Sequence, residues 1–254
     1  MIVLKSSQEI EKMTVACRIV AEALEELKGL VSPGVTTLEL DSFVEAFILE
    51  RGGIPAFKGY RGFPNSLCTS INNQVVHGIP SPNSKLNDGD IVSLDLGVFY
   101  DGYYGDAAVT YPVGNINPYA KRLLEVTEES LYKGIEMSRP NKRVSDISSA
   151  VQFHVEKNGY SVVRDFVGHG IGKDLHEEPQ IPNFGSSGQG PRIKEGMTFA
   201  IEPMVNAGDY AVVILEDKWT AVTKDGSLSA HFEHTVAVTK DGPVILTQLK
   251  KKQG

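Results

Sequence analysis

Between positions 7 and 28 the apolar residues Ile10, Met13, Val15, Ala16, Ile19, Val20, Ala23, Leu24 and Leu27 recur at helical intervals, with Glu11, Lys12, Glu22, Glu25 and Glu26 between them. That spacing predicts an amphipathic helix. Pro33-Gly34 breaks the pattern, Thr36 or Thr37 is placed to cap a second helix reaching about Arg51, and Gly52-Gly53 stops it. Residues 54–88 are rich in turn formers and aromatics, with Gly59-Tyr-Arg-Gly-Phe-Pro64, a short strand predicted near 67–71, and Val75-Val-His-Gly-Ile-Pro80. Loops of this composition often build binding pockets. Two more helices are predicted over 117–137 and 144–158, and strands near 162–167, 197–201, 211–215, 219–223, 232–239 and 244–247.

The stretch from Ile91 to Asp106 departs from ordinary patterning, because it sets two carboxylates into an apolar, β-branched and aromatic run. Asp101-Gly102 within it is a strong hairpin signal. With those two residues as the turn, position 95 lies opposite 108, and Asp95 and Asp106 become diagonal neighbours on one face, about 7–8 Å apart at the backbone. From there two carboxylate tips reach a pair of metal ions about 3.5–4 Å apart. A bulge at Gly105 would change that register, and two solvated aspartates beside a turn are the plainer alternative.

The chain also echoes itself. A shift of 107 positions lays Pro33 on Pro140, Gly52 on Gly159, Lys85-Leu-Asn-Asp-Gly89 on Arg192-Ile-Lys-Glu-Gly196, and Asp95 on Glu202. A duplication of this kind predicts two related halves, about 1–115 and 116–254, within one catalytic domain, with the two acids facing each other across a pseudo-twofold axis.

Composition narrows the chemistry. With 254 residues and 41% hydrophobic content the chain can bury a full core, and a net charge of −7 argues against general nucleic-acid binding, leaving Lys250-Lys251-Lys252 as a solvated tail. No basic-then-apolar leader and no spanning segment is evident, so no membrane is implied and the cytoplasm is the expected compartment. Cys17 and Cys68 form neither a disulfide framework nor a Cys-x-x-Cys pair, so any metal is expected on carboxylate and imidazole.

Gly168-His-Gly-Ile-Gly172 places a histidine between glycines, where a ligand can approach. A lone buried histidine is more often a satisfied core residue. Here His176-Glu-Glu-Pro179 follows, and Ala200-Ile-Glu-Pro203 and His231-Phe-Glu-His234 each put an acid in an apolar β-like setting. So many costly groups do not belong in an unpaired core. Asp95, Asp106, His169, Glu202 and Glu233 form an oxygen-rich set with one nitrogen, suited to two hard or borderline divalent ions rather than a closed thiolate zinc site. Hydrolysis by an activated water is the natural outcome.

Over essentially its whole length the chain resembles the methionine aminopeptidase family. The likeness is carried by Asn72-Asn-Gln-Val-Val-His-Gly-Ile-Pro80, Asp88-Gly-Asp-Ile-Val92, Asp95 with Asp106, Gly168-His-Gly-Ile-Gly172, His176-Glu-Glu-Pro-Gln180, Gly196-Met-Thr-Phe-Ala-Ile-Glu-Pro-Met204 and residues 229–234. It looks like the short bacterial type I form. The resemblance implies an α/β (α+β) pita-bread fold, with two pseudo-symmetric halves and a curved antiparallel sheet covered by helices. It also implies a dinuclear centre of divalent ions (Co, Mn, Fe or Zn) on Asp95, Asp106, His169, Glu202 and Glu233 that activates a bridging water, with Glu202 as proton shuttle. His77 is implied to hydrogen-bond the substrate near the scissile amide and His176 to contact its carbonyl oxygen. Tyr60, Phe63, Cys68, His77 and Trp219 are implied to line a slot for an unbranched thioether.

Three positions depart from a common bacterial pattern: Phe57 for Cys, Phe63 for Tyr and Leu175 for Phe. None removes a ligand. The implied activity is removal of the initiator methionine from nascent polypeptides before a small second residue, by a cytoplasmic monomer that meets the ribosome transiently. A prolidase of the same fold would need further pocket His and Arg residues and usually a preceding domain. A non-catalytic binding protein of this fold would have lost metal ligands, and all five are present.

Overall fold

Helix caps set the frame of the chain. In this computed structural model, which describes residues 1–249, Ser6 and Glu9 close a reciprocal capping box on α1 (Ser7–Leu30), and Thr36 and Glu39 do the same on α2 (Thr37–Glu50). Asn117 caps α3 (Pro118–Met137) with proline in its first turn, and α4 (Val144–Lys157) begins at Arg143, whose N–H donates to Asp146 at 2.8 Å. Lys250-Lys251-Lys252 lies outside the described residues.

The helices pack in pairs against antiparallel sheet. Ile19, Val20, Leu24 and Leu27 of α1, with Leu40, Val44 and Ile48 of α2, bury against Val92, Leu94, Leu96 and Val98. These alternate residues fill one face of the strand Ile91–Tyr100, so Ser93, Asp95 and Gly97 face away from the helices. In the second half, Leu123, Val126 and Leu131 of α3 and Ile147, Val151 and Val155 of α4 pack on Phe199, Ile201, Val236 and Val238. There a five-stranded sheet runs in the order 242–245, 234–239, 198–201, 168–170, 177–181.

The 107-residue echo is structural. It carries α2 onto α4 end for end, the strand Ile54–Pro55 onto Ser161–Val162, the start of Ile91–Tyr100 onto the start of Thr198–Ile201, and the bridge Thr36–Lys85 onto Arg143–Arg192. Gly52 and Gly159 follow α2 and α4 with φ of 74° and 82°, the left-handed backbone that ends a helix.

The central hairpin pairs without interruption from Ile91–Pro112 to Tyr100–Tyr103, with Asp95 opposite Ala108 and Asp106 opposite Gly97. Asp101 and Gly102 have φ of 46° and 85°, as a two-residue turn of this hand requires. No bulge occurs at Gly105. Its reason is helix packing: a Cβ there would lie 2.7 Å from the backbone nitrogen of Cys17 in α1.

The strands of the second half are shorter than the apolar runs suggest. The 162–167 run is strand only at Ser161–Val162, and the 232–239 run breaks into Ser229–His231 and His234–Thr239 around Phe232 and Glu233. The strands Gly168–Gly170, Glu177–Ile181 and Met204–Asn206 carry glycine, charge or an adjacent proline, and periodicity alone does not reveal them.

Candidate active site

The hairpin delivers Asp95 and Asp106 to the face opposite α1 and α2. The strand carrying Thr235 locks against them: the Asp106 N–H donates to Thr235 Oγ1 at 3.1 Å, Thr235 Oγ1 donates to the Asp106 carbonyl at 2.8 Å, and the Glu233 N–H donates to the Ala108 carbonyl at 2.8 Å. Thr110 bonds both the N–H and the carbonyl of His231. These cross-links bring the broken segment around Glu233 over the hairpin.

Glu202 arrives from the end of Thr198–Ile201, where Pro203 stops the strand, and its carbonyl accepts from Asn183 Nδ2 at 3.0 Å. His169 lies on Gly168–Gly170 between strands on both sides. Its flanking glycines are required by packing, because a Cβ at Gly168 would lie 2.5 Å from the Ala200 carbonyl oxygen and one at Gly170 would crowd the Glu178 carbonyl. His169 Nδ1 donates to the Gly170 carbonyl at 2.9 Å, which leaves Nε2 unprotonated and pointing at the carboxylates, 3.4 Å from Glu202 Oε1.

Asp106, His169 and Glu233 offer ligand atoms within 4.8 Å of one another, and Asp95 and Glu202 line the same cavity. Asp95 Oδ1, Asp106 Oδ1 and Glu233 Oε1 are buried without a hydrogen-bond partner among the described residues. None of the four acids pairs there with a lysine or arginine; Glu202 approaches only His169 and His231. Burial pushes the Asp95 carboxyl up to about 7. Burial first, and neighbouring carboxylates second, hold Asp106, Glu202 and Glu233 well above the usual carboxylate range. Burial also lowers His169 to about 3, so its ring is neutral. Crowded, unpaired oxygens beside a neutral imidazole with a free Nε2 are what divalent cations fit, and what an unliganded core would avoid.

The same cavity, about 670 Å³ including its open mouth, is walled by Tyr60, Phe63, Cys68, His77, His176 and Trp219. All eleven side chains singled out in the sequence therefore border one space. Trp219 stands edge-on to Phe63 at 5.2 Å and to His77 at 6.2 Å between ring centres. Tyr60 stacks on His176 at 5.2 Å, with its hydroxyl 2.7 Å from His176 Nδ1. Burial lowers His77 to about 4, and partial burial together with the Arg61 guanidinium lowers His176. His77 sits at φ 60°, a conformation that a non-glycine residue adopts at a cost of about 1–3 kcal/mol.

Over residues 11–240 the chain matches metallopeptidase family M24. It is 55% identical over 250 residues to a methionine aminopeptidase of Clostridium perfringens, covering 98% of this chain and 100% of that protein. The identity is also 55% to methionine aminopeptidase 1 of Bacillus subtilis, again over 98% and 100% of the two chains. The crystal structure of the methionine aminopeptidase of Thermotoga maritima superposes with a TM-score of 0.97 at 49% identity, covering 98% of this chain and 100% of that one.

The chain belongs to metallopeptidase family M24. The pita-bread fold and the use of divalent metal follow from that membership, and Asp106, His169 and Glu233 form a group that could hold such an ion.

The cavity wall also holds residues outside the eleven named from the sequence. Phe57 and Leu175, departures from the common pattern that bear on pocket shape, both line the cavity, and Phe57 packs over Gly97, where a Cβ would meet its ring at 2.9 Å. Arg61 was not singled out, although the glycines around Tyr60-Arg61 hint at exposed chemistry. Phe166 and His231 border a smaller recess beside Glu202, together with Val76, His77 and Met204. His231 ends the strand Ser229–His231, two residues before Glu233. Its Nε2 is buried without a partner, 3.8 Å from Glu202 Oε2.

Proposed function

We propose that this chain is a methionine aminopeptidase that hydrolyses the first peptide bond of new polypeptides when the second residue is small. The observation that carries the reading is a set of unpaired buried carboxylates and one free imidazole nitrogen on the floor of a pocket walled by aromatics. Asp95, Asp106, His169, Glu202 and Glu233 would hold two divalent ions, with Fe²⁺, Mn²⁺, Co²⁺ and Zn²⁺ all compatible with such a donor set. Held there, such ions would supply Lewis-acid activation of water and of the attacked carbonyl near neutral pH.

The remaining work falls to the side chains. Glu202 borders the cavity 3.4 Å from His169 Nε2, and its carboxylate would take up the proton released by water and hand it to the leaving amine. With Tyr60 donating to Nδ1, the neutral His176 ring carries its proton on Nε2 and donates to the substrate carbonyl oxygen as negative charge develops there. His77, neutral and packed edge-on to Trp219 and Phe166, would bond the substrate near the scissile amide. Phe63, Cys68 and Trp219 offer an apolar slot to a flexible thioether. The recess of Val76, Phe166, Met204 and His231 beside Glu202 would take the small side chain that follows methionine. The cytoplasm, a monomeric state and a transient encounter with the ribosome complete this reading.

Chelated protein reloaded with one metal at a time and offered Met-Ala-Ser and x-Pro dipeptides tests it. Release of methionine from Met-Ala-Ser, with the x-Pro peptides intact, is expected. Cleavage of x-Pro alone would assign the site to a prolidase, and no turnover with any metal would make it a binding protein.

A further inference from the structure

Lys5 lies outside the catalytic pocket, yet its side chain is only 3% exposed and pairs with Glu177, itself 9% exposed. Of the residues before it, Ile2 packs on the core of the second half, while Val3 and Leu4 are about half exposed. Lys5 is nevertheless held from both ends: its N–H donates to the Gly196 carbonyl at 2.7 Å, and Nζ also reaches the Val3 carbonyl at 3.3 Å.

Glu177 is tied just as fully. Oε2 takes the Lys5 ammonium, while Oε1 accepts the backbone N–H of Lys173 at 2.8 Å and of Asp174 at 3.3 Å. The Gly172 carbonyl accepts from the Tyr104 N–H at 2.8 Å, and Gly172 lacks the Cβ that would otherwise collide with Lys5 Cε. The loop 172–177 is thereby pinned along its length. Leu175 is buried within it, and His176 is the side chain it sends toward substrate.

A buried ion pair stabilises a fold little more than an apolar pair of the same size, and ordering a chain end costs entropy. What this pair supplies is a single geometry for the residue beside it. We propose that Lys5 and Glu177 are positioning residues that hold His176 where its Nε2 meets the substrate carbonyl. The proposal rests on the role given to His176 above.

The test uses the full, metal-loaded chain and Met-Ala-Ser. Lys5→Met/Glu177→Gln removes both charges at nearly constant volume and leaves an acceptor oxygen for the loop amides. The expected result is a fall in kcat of about 10- to 100-fold, as small misplacements of a reacting group produce. KM should stay within about threefold, with metal content unchanged. In a His176→Ala background the same pair of substitutions is expected to cost nothing further, because its effect passes through the missing ring. Unchanged kcat in the pair variant, or equal losses in both backgrounds, would overturn the proposal. Full activity of His176→Ala on its own would overturn it differently, by removing the role on which it rests. Should the pair variant fail to fold, Glu177→Gln alone serves the same comparison, with a loss of about 10-fold expected.

Discussion

The two halves of the chain share a backbone plan and use it differently. In the first half Asp95 and Asp106 sit within ten-residue strands whose pairing is unbroken, so strand alternation alone decides which way they face. In the second half every candidate metal-site residue lies at an interruption. His169 sits at a register shift, Glu202 lies between the end of Thr198–Ile201 and Pro203, and Glu233 falls in the gap between Ser229–His231 and His234–Thr239. A continuous strand offers two side-chain directions. A broken one lets tertiary contacts choose the direction, and that freedom aims an imidazole and two glutamates at acids already set by the hairpin.

The sharpest way to break this comparison is to neutralise the two acids that the duplication equates. Glu202→Gln should lower kcat at least about 100-fold, since it would remove both a proposed ligand charge and the proposed proton carrier. Asp95→Asn should be rescued in part by raising the metal concentration, because it loses only a ligand. Steady-state assays with Met-Ala-Ser across a metal titration read both. Equal behaviour of the two variants would mean that the halves contribute alike.

Metal removal gives a second, smaller contrast. In metal-free protein the four acids keep protons that an unfolded chain releases at ordinary carboxylate values, so raising the pH from about 4 toward 7 costs stability through them. His77, His169, His231 and His234 are lowered by burial to about 3 or 4 and act in the opposite sense, adding stability as the pH rises toward the ordinary histidine value of about 6.5. Metal binding relieves the repulsion among the acids. The difference in melting temperature between loaded and chelated protein should therefore be widest near pH 7–8 and narrow as the pH falls through about 7. A difference independent of pH would contradict the assignment.

The smallest effects belong to the shared frame. Gly52→Ala and Gly159→Ala each force a Cβ into left-handed backbone, at a cost of about 1 kcal/mol, or roughly 2–4 °C in melting temperature for a chain of this size. The two losses should match, and kcat should not change. Unequal losses would show that equivalent positions no longer carry equivalent loads.

Local interactions made much of this fold legible. The helices end within a few residues of where apolar spacing and caps place them, and the Asp101-Gly102 turn sets the pairing of Asp95 with Ala108. The strands around His169, Glu177 and Met204 were hidden because their residue types are chosen for close backbone approach and for the site, at the expense of β propensity. Arg61, Phe166 and His231 were hidden for another reason: a pocket wall gathers residues from distant segments, and no spacing along the chain encodes that meeting.

By itself the sequence determined the helices, the hairpin register, the duplication and the chemical types assembled for catalysis. Each of these follows from hydrogen bonds and periodicities that span only a few residues, or from likeness between whole segments. Only the tertiary structure decided that Asp95, Asp106 and Glu233 keep unpaired oxygens, that His169 presents Nε2, and that Lys5 reaches Glu177 across the chain. The physical reason is that side-chain direction at a strand break, and the dryness that shifts a pKa, are both set by neighbours far away in sequence.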